Sequence, residues 1–357
     1  MKRITAELGD NRYDIEIERG SFASFGEKLR AFTAAEKAAV ITDSRVDRLY
    51  GKALQEQLEH AGLYCRRIVF PEGEKSKNLQ TLERVYEELA AMELTRKDVI
   101  AAFGGGVTGD LGGLAAATWL RGVPLIQIPT SLLAQIDSSV GGKTAVDLGA
   151  GKNLVGAFYQ PKAVWIDPDL LDTLPERYLH DGMAEVIKYG CIKDRSLFER
   201  LEGITSRSDL LSQIEDIIAV CCQIKADVVK DDVFDTGGRM ILNFGHTLGH
   251  AAEQYYQYET YTHGEGVAMG MAAITQCMER EGWTQPGTAA RIQKVLKQFS
   301  LPFEIPVPLD DIWPAVGQDK KKAGGCLTLA GISEIGEGFL KTMPIEDAYR
   351  LCKGGLR

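Results

Sequence analysis

Several features that would define a class at once are missing from this chain. Its seven cysteines form no paired C-x-x-C ladder, and two of them, Cys221 and Cys222, are adjacent. That distribution argues against a disulfide framework and a cysteine zinc site, and it fits the reducing cytoplasm. No run approaches the ~18 apolar residues a membrane span needs, and the opening MKRITAELGD lacks the apolar core of a secretory signal. No membrane role is expected. Positive charge is also in deficit, with 41 Lys and Arg against 50 Asp and Glu and a net charge of -9. A nonspecific nucleic-acid binder is thereby disfavoured, because that role needs a basic face. Any anionic ligand has to be held by cations gathered locally.

What is present is length and pattern. A chain of 357 residues exceeds the roughly 250 to 300 at which one core stops growing, so two domains are expected. The first 17 residues alternate apolar and polar on both sides of Gly9-Asp10-Asn11, which reads as a hairpin. Apolar, β-rich runs recur at 38–43, 64–70, 98–103, 123–129 and 163–168, with helical periodicity between several of them, as at 79–92. That repetition predicts a mostly parallel α/β sheet covered on both faces, over 1–174. From Thr173-Leu174-Pro175-Glu176, a helix-start signature, the pattern turns mainly helical over 175–357. Long helices are expected at 208–230, 239–257, 265–281 and 286–299, and short strands near 326–330 and 338–343.

The run FGGGVTGD contains G-x-G-x-x-G at Gly104, Gly106 and Gly109, after a strand and before an expected helix at 111–120. Such a turn exposes backbone N–H groups to a pyrophosphate. Alone the motif is weak, because no acid closes the next strand to bind a ribose hydroxyl. A tight turn for close helix and strand packing is the plainer alternative. Asp43 ends an earlier strand, and the loop of Glu72, Gly73, Glu74, Lys75, Ser76 and Lys77 follows another. Both lie where open α/β sheets bind ligands.

Three of the five histidines fall between His246 and His263. On one helix, Arg239, Asn243, His246 and His250 occupy i, i+4, i+7 and i+11, a narrow polar stripe among apolar neighbours. The histidine pair resembles H-E-x-x-H, but Thr247 stands where the glutamate base would be, which disfavours a zinc protease. Both histidines could bind one metal. Alternatively one binds it and the other handles a proton, with His263 and an acid completing the set. Glu185, sharing a helix face with Lys188 at i+3, offers that acid, and a Glu/His/His set leaves zinc an open position. The plain reading of Glu185 and Lys188 is a solvated salt bridge.

In order along the chain stand GGGVTGDLGG, RGVPLIQIPTSLLAQIDSSVGGKTAVDLGAGKNLVGAFYQP, GMAEVIKYG, LNFGHTLGHA, HGEGVAMG and QDKK. Through these blocks the chain resembles the 3-dehydroquinate synthases over nearly its whole length. The resemblance implies an N-terminal nucleotide-binding domain, a helical C-terminal domain, an active site in the cleft and two chains per enzyme. It also implies conversion of 3-deoxy-D-arabino-heptulosonate 7-phosphate to 3-dehydroquinate and phosphate. In that chemistry NAD⁺ oxidises C5, phosphate is eliminated, C5 is re-reduced and the opened ring closes by an aldol step.

By that resemblance Glu185, His246 and His263 hold a divalent metal, zinc or cobalt. NAD is assigned to Asp43, to Glu72 through Lys77, to Gly106, Val107, Thr108, Gly109 and Asp110, and to Thr130 and Ser131. Lys143, Lys152, Leu170, Leu171, Asp172 and Thr173 complete that set. Lys152, Asn153 and His250 look like phosphate-side contacts, and Arg121 like one lent by a neighbouring subunit. Lys225, Arg239 and Asn243 suit the carboxylate and ring hydroxyls, and Asp137 a hydroxyl or a water. Lys143, Lys188 and Lys320 are further active-site cations. Asp147 and Ala145 depart from the commonest pattern, KTGVN, and are not expected to touch chemistry. Related sugar-phosphate cyclases, a metal-dependent polyol dehydrogenase and a noncatalytic NAD-binding regulator are the competing readings. The last has no need of Glu185, His246 and His263 together.

Overall fold

The computed structural model describes residues 1–9, 11–235, 237–318 and 325–355. The chain forms two compact units, Met1–Pro175 with Ile214–Phe234, and Glu176–Gln213 with Asp235–Arg357.

The first unit begins with the expected hairpin, β1 (Lys2–Leu8) antiparallel to β2 (Asn11–Ile17). The strands β3 (Lys37–Asp43), β4 (Tyr64–Phe70), β5 (Val99–Gly104) and β6 (Leu125–Pro129) follow. A separate antiparallel pair, β7 (Lys143–Leu148) and β8 (Gly151–Phe158), precedes β9 (Ala163–Ile166). The main sheet runs β1-β2-β9-β6-β5-β3-β4, parallel from β2 onward. Both faces are buried. Along β3, Ala38 and Val40 join Leu54 and Leu58 of helix Lys52–His60 in one cluster, while Ala39 and Ile41 join Leu82 and Leu111 in another. Burial on both sides is why the central strands β3, β5, β6 and β9 read as apolar runs.

Leu111 belongs to helix Gly106–Thr118, which follows β5 on the face opposite the helix that follows β3. Since β3 and β5 are neighbours, their C-terminal ends form a switch point where chain leaves in two directions and a crevice opens. The sequence pattern assigned no element to 143–158. There β7 lies against helix Gly106–Thr118, where a side chain at Gly113 would collide with Thr144.

The second unit contains helices Glu176–Ile192, Arg195–Gly203, His246–Tyr255, His263–Arg280, Thr288–Gln298 and Leu309–Gln318. The strands β10 (Cys326–Glu334) and β11 (Glu337–Pro344) then form a hairpin, and helix Ile345–Gly355 follows.

Two expectations need correction. A single boundary after residue 174 does not describe the division, since Ile214–Phe234 belongs with the first unit. There the Cys222 thiol donates to the Gln135 carbonyl at 3.2 Å, and Lys230 pairs with Glu7 at 3.0 Å. The expected helix over 239–257 is also broken. Arg239 and Asn243 lie in a 3-10 stretch, Gly238–Asn243, and His246 starts a new helix. Between them Gly245 has φ 82, and a Cβ there would sit 2.6 Å from the Val267 carbonyl oxygen. The four-residue stripe is therefore not one helical face.

Candidate functional site

In the first unit the residues assigned to NAD, apart from Lys143 and Lys152 in the antiparallel pair β7 and β8, lie at or after the C-terminal ends of parallel strands. Asp43 ends β3, and its Oδ1 accepts the Arg45 and Val46 N–H groups at 2.9 and 3.0 Å. Its Oδ2 lies 3.5 Å from Thr108 Oγ1, so the switch-point loops after β3 and β5 meet. The helix after β5 starts at Gly106, five residues earlier than expected. Gly106, Val107 and Thr108 thus open its first turn with N–H groups that have no partner within the helix, while the Gly109 N–H donates to the Gly105 carbonyl at 3.0 Å and Asp110 follows it. Close packing is served too: a side chain at Gly104 would collide with Thr108, and the Gly109 carbonyl accepts from Gln127 at 3.1 Å.

After β4, the Glu72 N–H donates to Ser44 Oγ at 3.1 Å, Gly73 has φ 103, and Glu74, Lys75 and Ser76 form a short turn. Thr130 and Ser131 follow β6, the Thr130 N–H donating to the Gly104 carbonyl at 2.9 Å. Leu170, Leu171, Asp172 and Thr173 lie in the 3-10 stretch after β9, with Thr173 Oγ1 2.7 Å from the Tyr50 hydroxyl.

Lys77 is only 4% exposed, with Nζ 2.6 Å from Asp110 Oδ2 and donating to Asn153 Oδ1 at 2.5 Å. Burial alone would lower this lysine, but Asp110 and Glu74 outweigh it and hold it above its ordinary value. Asn153 has φ 56, and its N–H donates to Asp147 Oδ1 at 2.7 Å. Asp147, not expected to touch chemistry, thus holds the backbone of Asn153. Lys152 lies 3.8 Å from Glu74. Asp137 and Lys225 form an ion pair. Lys143 is exposed at the start of β7. Arg121 is exposed at φ 67 directly after Leu120 at φ 49. Left-handed backbone costs roughly 1–2 kcal/mol at each such non-glycine residue.

In the second unit, helices His246–Tyr255 and His263–Arg280 cross on glycines. A Cβ on Gly249 would lie 2.5 Å from the Gly266 carbonyl oxygen, and one on Gly270 would overlap the Gly245 carbonyl. This approach sets His246 and His250 against His263, with ring centroids 5.1 to 5.5 Å apart. One ring nitrogen of each lies within 4.8 Å of the others. At the start of the second helix, Asp181 Oδ1 accepts the Gly264 N–H at 2.6 Å, and Thr262 and Glu265 form a capping box.

Glu185, from helix Glu176–Ile192, is fully buried, and its Oε1 lies 3.5 Å from both His246 Nε2 and His263 Nε2. Its Oε2 pairs with the equally buried Lys188, so the solvated salt bridge is excluded. Its Oε1 has no hydrogen-bond partner among the described residues. Burial would raise Glu185, yet Lys188 and then His246 hold it far below the ordinary carboxylate range. Burial drives His246 well below its ordinary value. It opposes protonation of His263 as well, but Glu185 and Glu253 prevail and push that ring up to about 10. The cluster draws positive charge. A buried anionic oxygen without a hydrogen bond, faced by two imidazole nitrogens, suits a divalent cation.

Arg239 is buried and Asn243 exposed before the break, and Lys320 lies outside the described residues. The sequence reading missed Glu253, which faces both His250 and His263. Its place at i+3 from His250 on the same helix was the available signal.

Residues 67–181 match the family described as 3-dehydroquinate synthase N-terminal, and residues 182–322 match 3-dehydroquinate synthase C-terminal. The 3-dehydroquinate synthase of Clostridium acetobutylicum is 49% identical, over 99% of this chain and 99% of its own. A solved 2-deoxy-scyllo-inosose synthase, complexed with carbaglucose-6-phosphate, NAD⁺ and Co²⁺, is similar with a TM-score of 0.88 at 26% identity, covering 99% of this chain and 100% of that one. A 2-epi-5-epi-valiolone synthase from Streptomyces hygroscopicus, with NAD⁺ and Zn²⁺ bound, has a TM-score of 0.88 at 25% identity, covering 98% of this chain and 97% of that one.

Proposed function

The chain belongs to the 3-dehydroquinate synthase family, and from that premise we propose how its residues convert 3-deoxy-D-arabino-heptulosonate 7-phosphate to 3-dehydroquinate and phosphate. When bound, NAD⁺ supplies reversible removal of the C5 hydride, and a zinc or cobalt ion supplies the Lewis acid that acidifies the reacting hydroxyl.

The observation that carries the metal assignment is the pair of 3.5 Å approaches of His246 Nε2 and His263 Nε2 to one buried oxygen of Glu185. These three residues hold the ion, and Lys188 keeps Glu185 ionised. The loops after β3, β4, β5, β6 and β9, with Lys143 and Lys152, hold the dinucleotide. Lys152, Asn153, His250 and a partner subunit's arginine equivalent to Arg121 position the substrate phosphate. Lys225, Arg239 and Asn243 take the carboxylate and ring hydroxyls, Lys320 is a further active-site cation, and Asp137 orients a hydroxyl or a water. A homodimer in the cytoplasm is part of this proposal. The exposed, left-handed presentation of Arg121 and seven cysteines without a disulfide support it. The net charge of -9 supports a role without nucleic acid, and no helix among the described residues is long and apolar enough to cross a membrane.

The test is phosphate release from the heptulosonate phosphate, with and without a chelator, alongside the metal content of purified Glu185→Ala and His246→Ala. Both variants are expected to lose metal and activity while remaining folded, since each lacks one of three protein ligands. Near-stoichiometric metal in both would overturn the ligand set. The two cyclase structures favour a second reading, a related sugar-phosphate cyclase. It is chosen only if another sugar phosphate is turned over and the heptulosonate phosphate is not.

A further inference from the structure

We infer that Glu253 is a positioning residue of the metal centre, whose carboxylate orients His263 so that its Nε2 is presented to the cation and holds His250 in a different role. The inference rests on the metal assignment above.

Glu253 is 3% exposed, and its two oxygens face different rings. Oε1 lies 3.6 Å from His263 Nδ1, and Oε2 lies 3.9 Å from His250 Nε2. A carboxylate is costly to remove from water unless charge or donors compensate it, and here two imidazoles face it. The carboxylate is also fitted against a neighbour. A Cβ on Gly266 would sit 2.9 Å from Glu253 Cγ and 3.2 Å from Cδ. The second glycine of HGEG therefore leaves room for this side chain.

The two histidines that aim Nε2 at Glu185 share a pattern. His246 has Nδ1 3.2 Å from the Phe244 carbonyl, and His263 has Nδ1 facing Glu253. A metal-binding imidazole is normally held this way, with the acceptor behind one nitrogen fixing the tautomer and the aim of the other. For His246 the acceptor is backbone, and for His263 it is a side chain open to substitution. His250 breaks the pattern, because its Nε2 itself faces Glu253. The grouping of three histidine nitrogens thereby resolves into two rings aimed at Glu185 and one held aside.

The experiment titrates metal-free protein with Co²⁺ and follows its visible d–d absorption, with Glu253→Ala, Glu253→Asp, Glu253→Gln and His246→Ala compared with wild type. Thermal melting of the metal-free proteins reports folding separately. Glu253→Ala and Glu253→Asp should bind Co²⁺ roughly 10- to 100-fold more weakly, the usual effect of removing such a support. Glu253→Gln keeps an acceptor oxygen of the same reach and should restore most of the affinity. Wild-type Co²⁺ affinity and spectrum in Glu253→Ala would overturn the inference. Should that variant fail to fold, the same result in Glu253→Asp does so. Failure of the underlying assignment has a different signature, because His246→Ala would then retain its Co²⁺ whatever the Glu253 variants do.

Discussion

His246 and His250 are one helical turn apart and meet different surroundings. His246 is largely buried with its Nδ1 toward a backbone carbonyl, whereas His250 is 56% exposed with its Nε2 toward Glu253. Spacing alone left both open as ligands, because i and i+4 on a helix share a face whatever stands opposite. His250→Ala is accordingly expected to keep its metal and lose roughly 10²- to 10⁴-fold in turnover, the loss of a phosphate contact or proton-handling group. Elemental analysis paired with single-turnover phosphate release checks this, and metal loss equal to that in His246→Ala would make all three histidines ligands. Asp147 gives a second residue-scale expectation. Its hydrogen bond to the left-handed Asn153 is worth about 1 kcal/mol, so Asp147→Ala should raise KM roughly fivefold with a smaller effect on kcat. An unchanged KM would leave Asn153 held by its neighbours alone.

Between elements, the glycine crossing of helices His246–Tyr255 and His263–Arg280 decides whether the histidines meet at all. Gly270→Ala inserts a methyl group against the Gly245 carbonyl, and overpacking of this kind costs about 1–3 kcal/mol. A lowered melting temperature together with weakened Co²⁺ binding is expected, and undiminished Co²⁺ affinity would show that the centre tolerates a wider crossing. In the first unit Asp98 ties strand starts together. Its Oδ1 accepts the Lys37 N–H at 2.9 Å, and its Oδ2 accepts the Thr95 N–H at 2.8 Å and the Thr95 hydroxyl at 2.7 Å. Burial opposes ionisation, but these donors hold Asp98 below its ordinary value. Its contribution to stability is therefore complete above about pH 4, the unfolded value, and disappears as pH falls through the lower folded value. Asp98→Asn should destabilise the protein in urea unfolding at neutral pH and cost progressively less in acid. A penalty independent of pH would assign the effect to packing.

For the whole molecule the proposed route is redox-neutral, since on it the hydride removed at C5 would return in the same turnover. Phosphate should be released without accumulation of reduced nicotinamide, followed by its absorbance. Stoichiometric NADH would instead mark an ordinary dehydrogenase. Much of the fold and of the site is legible in the order of the residues. The apolar runs determined the parallel strands, because burial on both faces leaves no room for alternation. The glycine run after β5 marked a backbone-lined turn. These are local signals, written within a few residues of where they act. Tertiary structure alone decided the rest: the break at Gly245, the place of Ile214–Phe234 in the first unit, the support of Asn153 by Asp147, and the convergence of Glu185 with His246 and His263 beside Glu253. A helical period states which side chains share a face, but the partner of that face comes from a distant segment and is selected by how closely two backbones can pack.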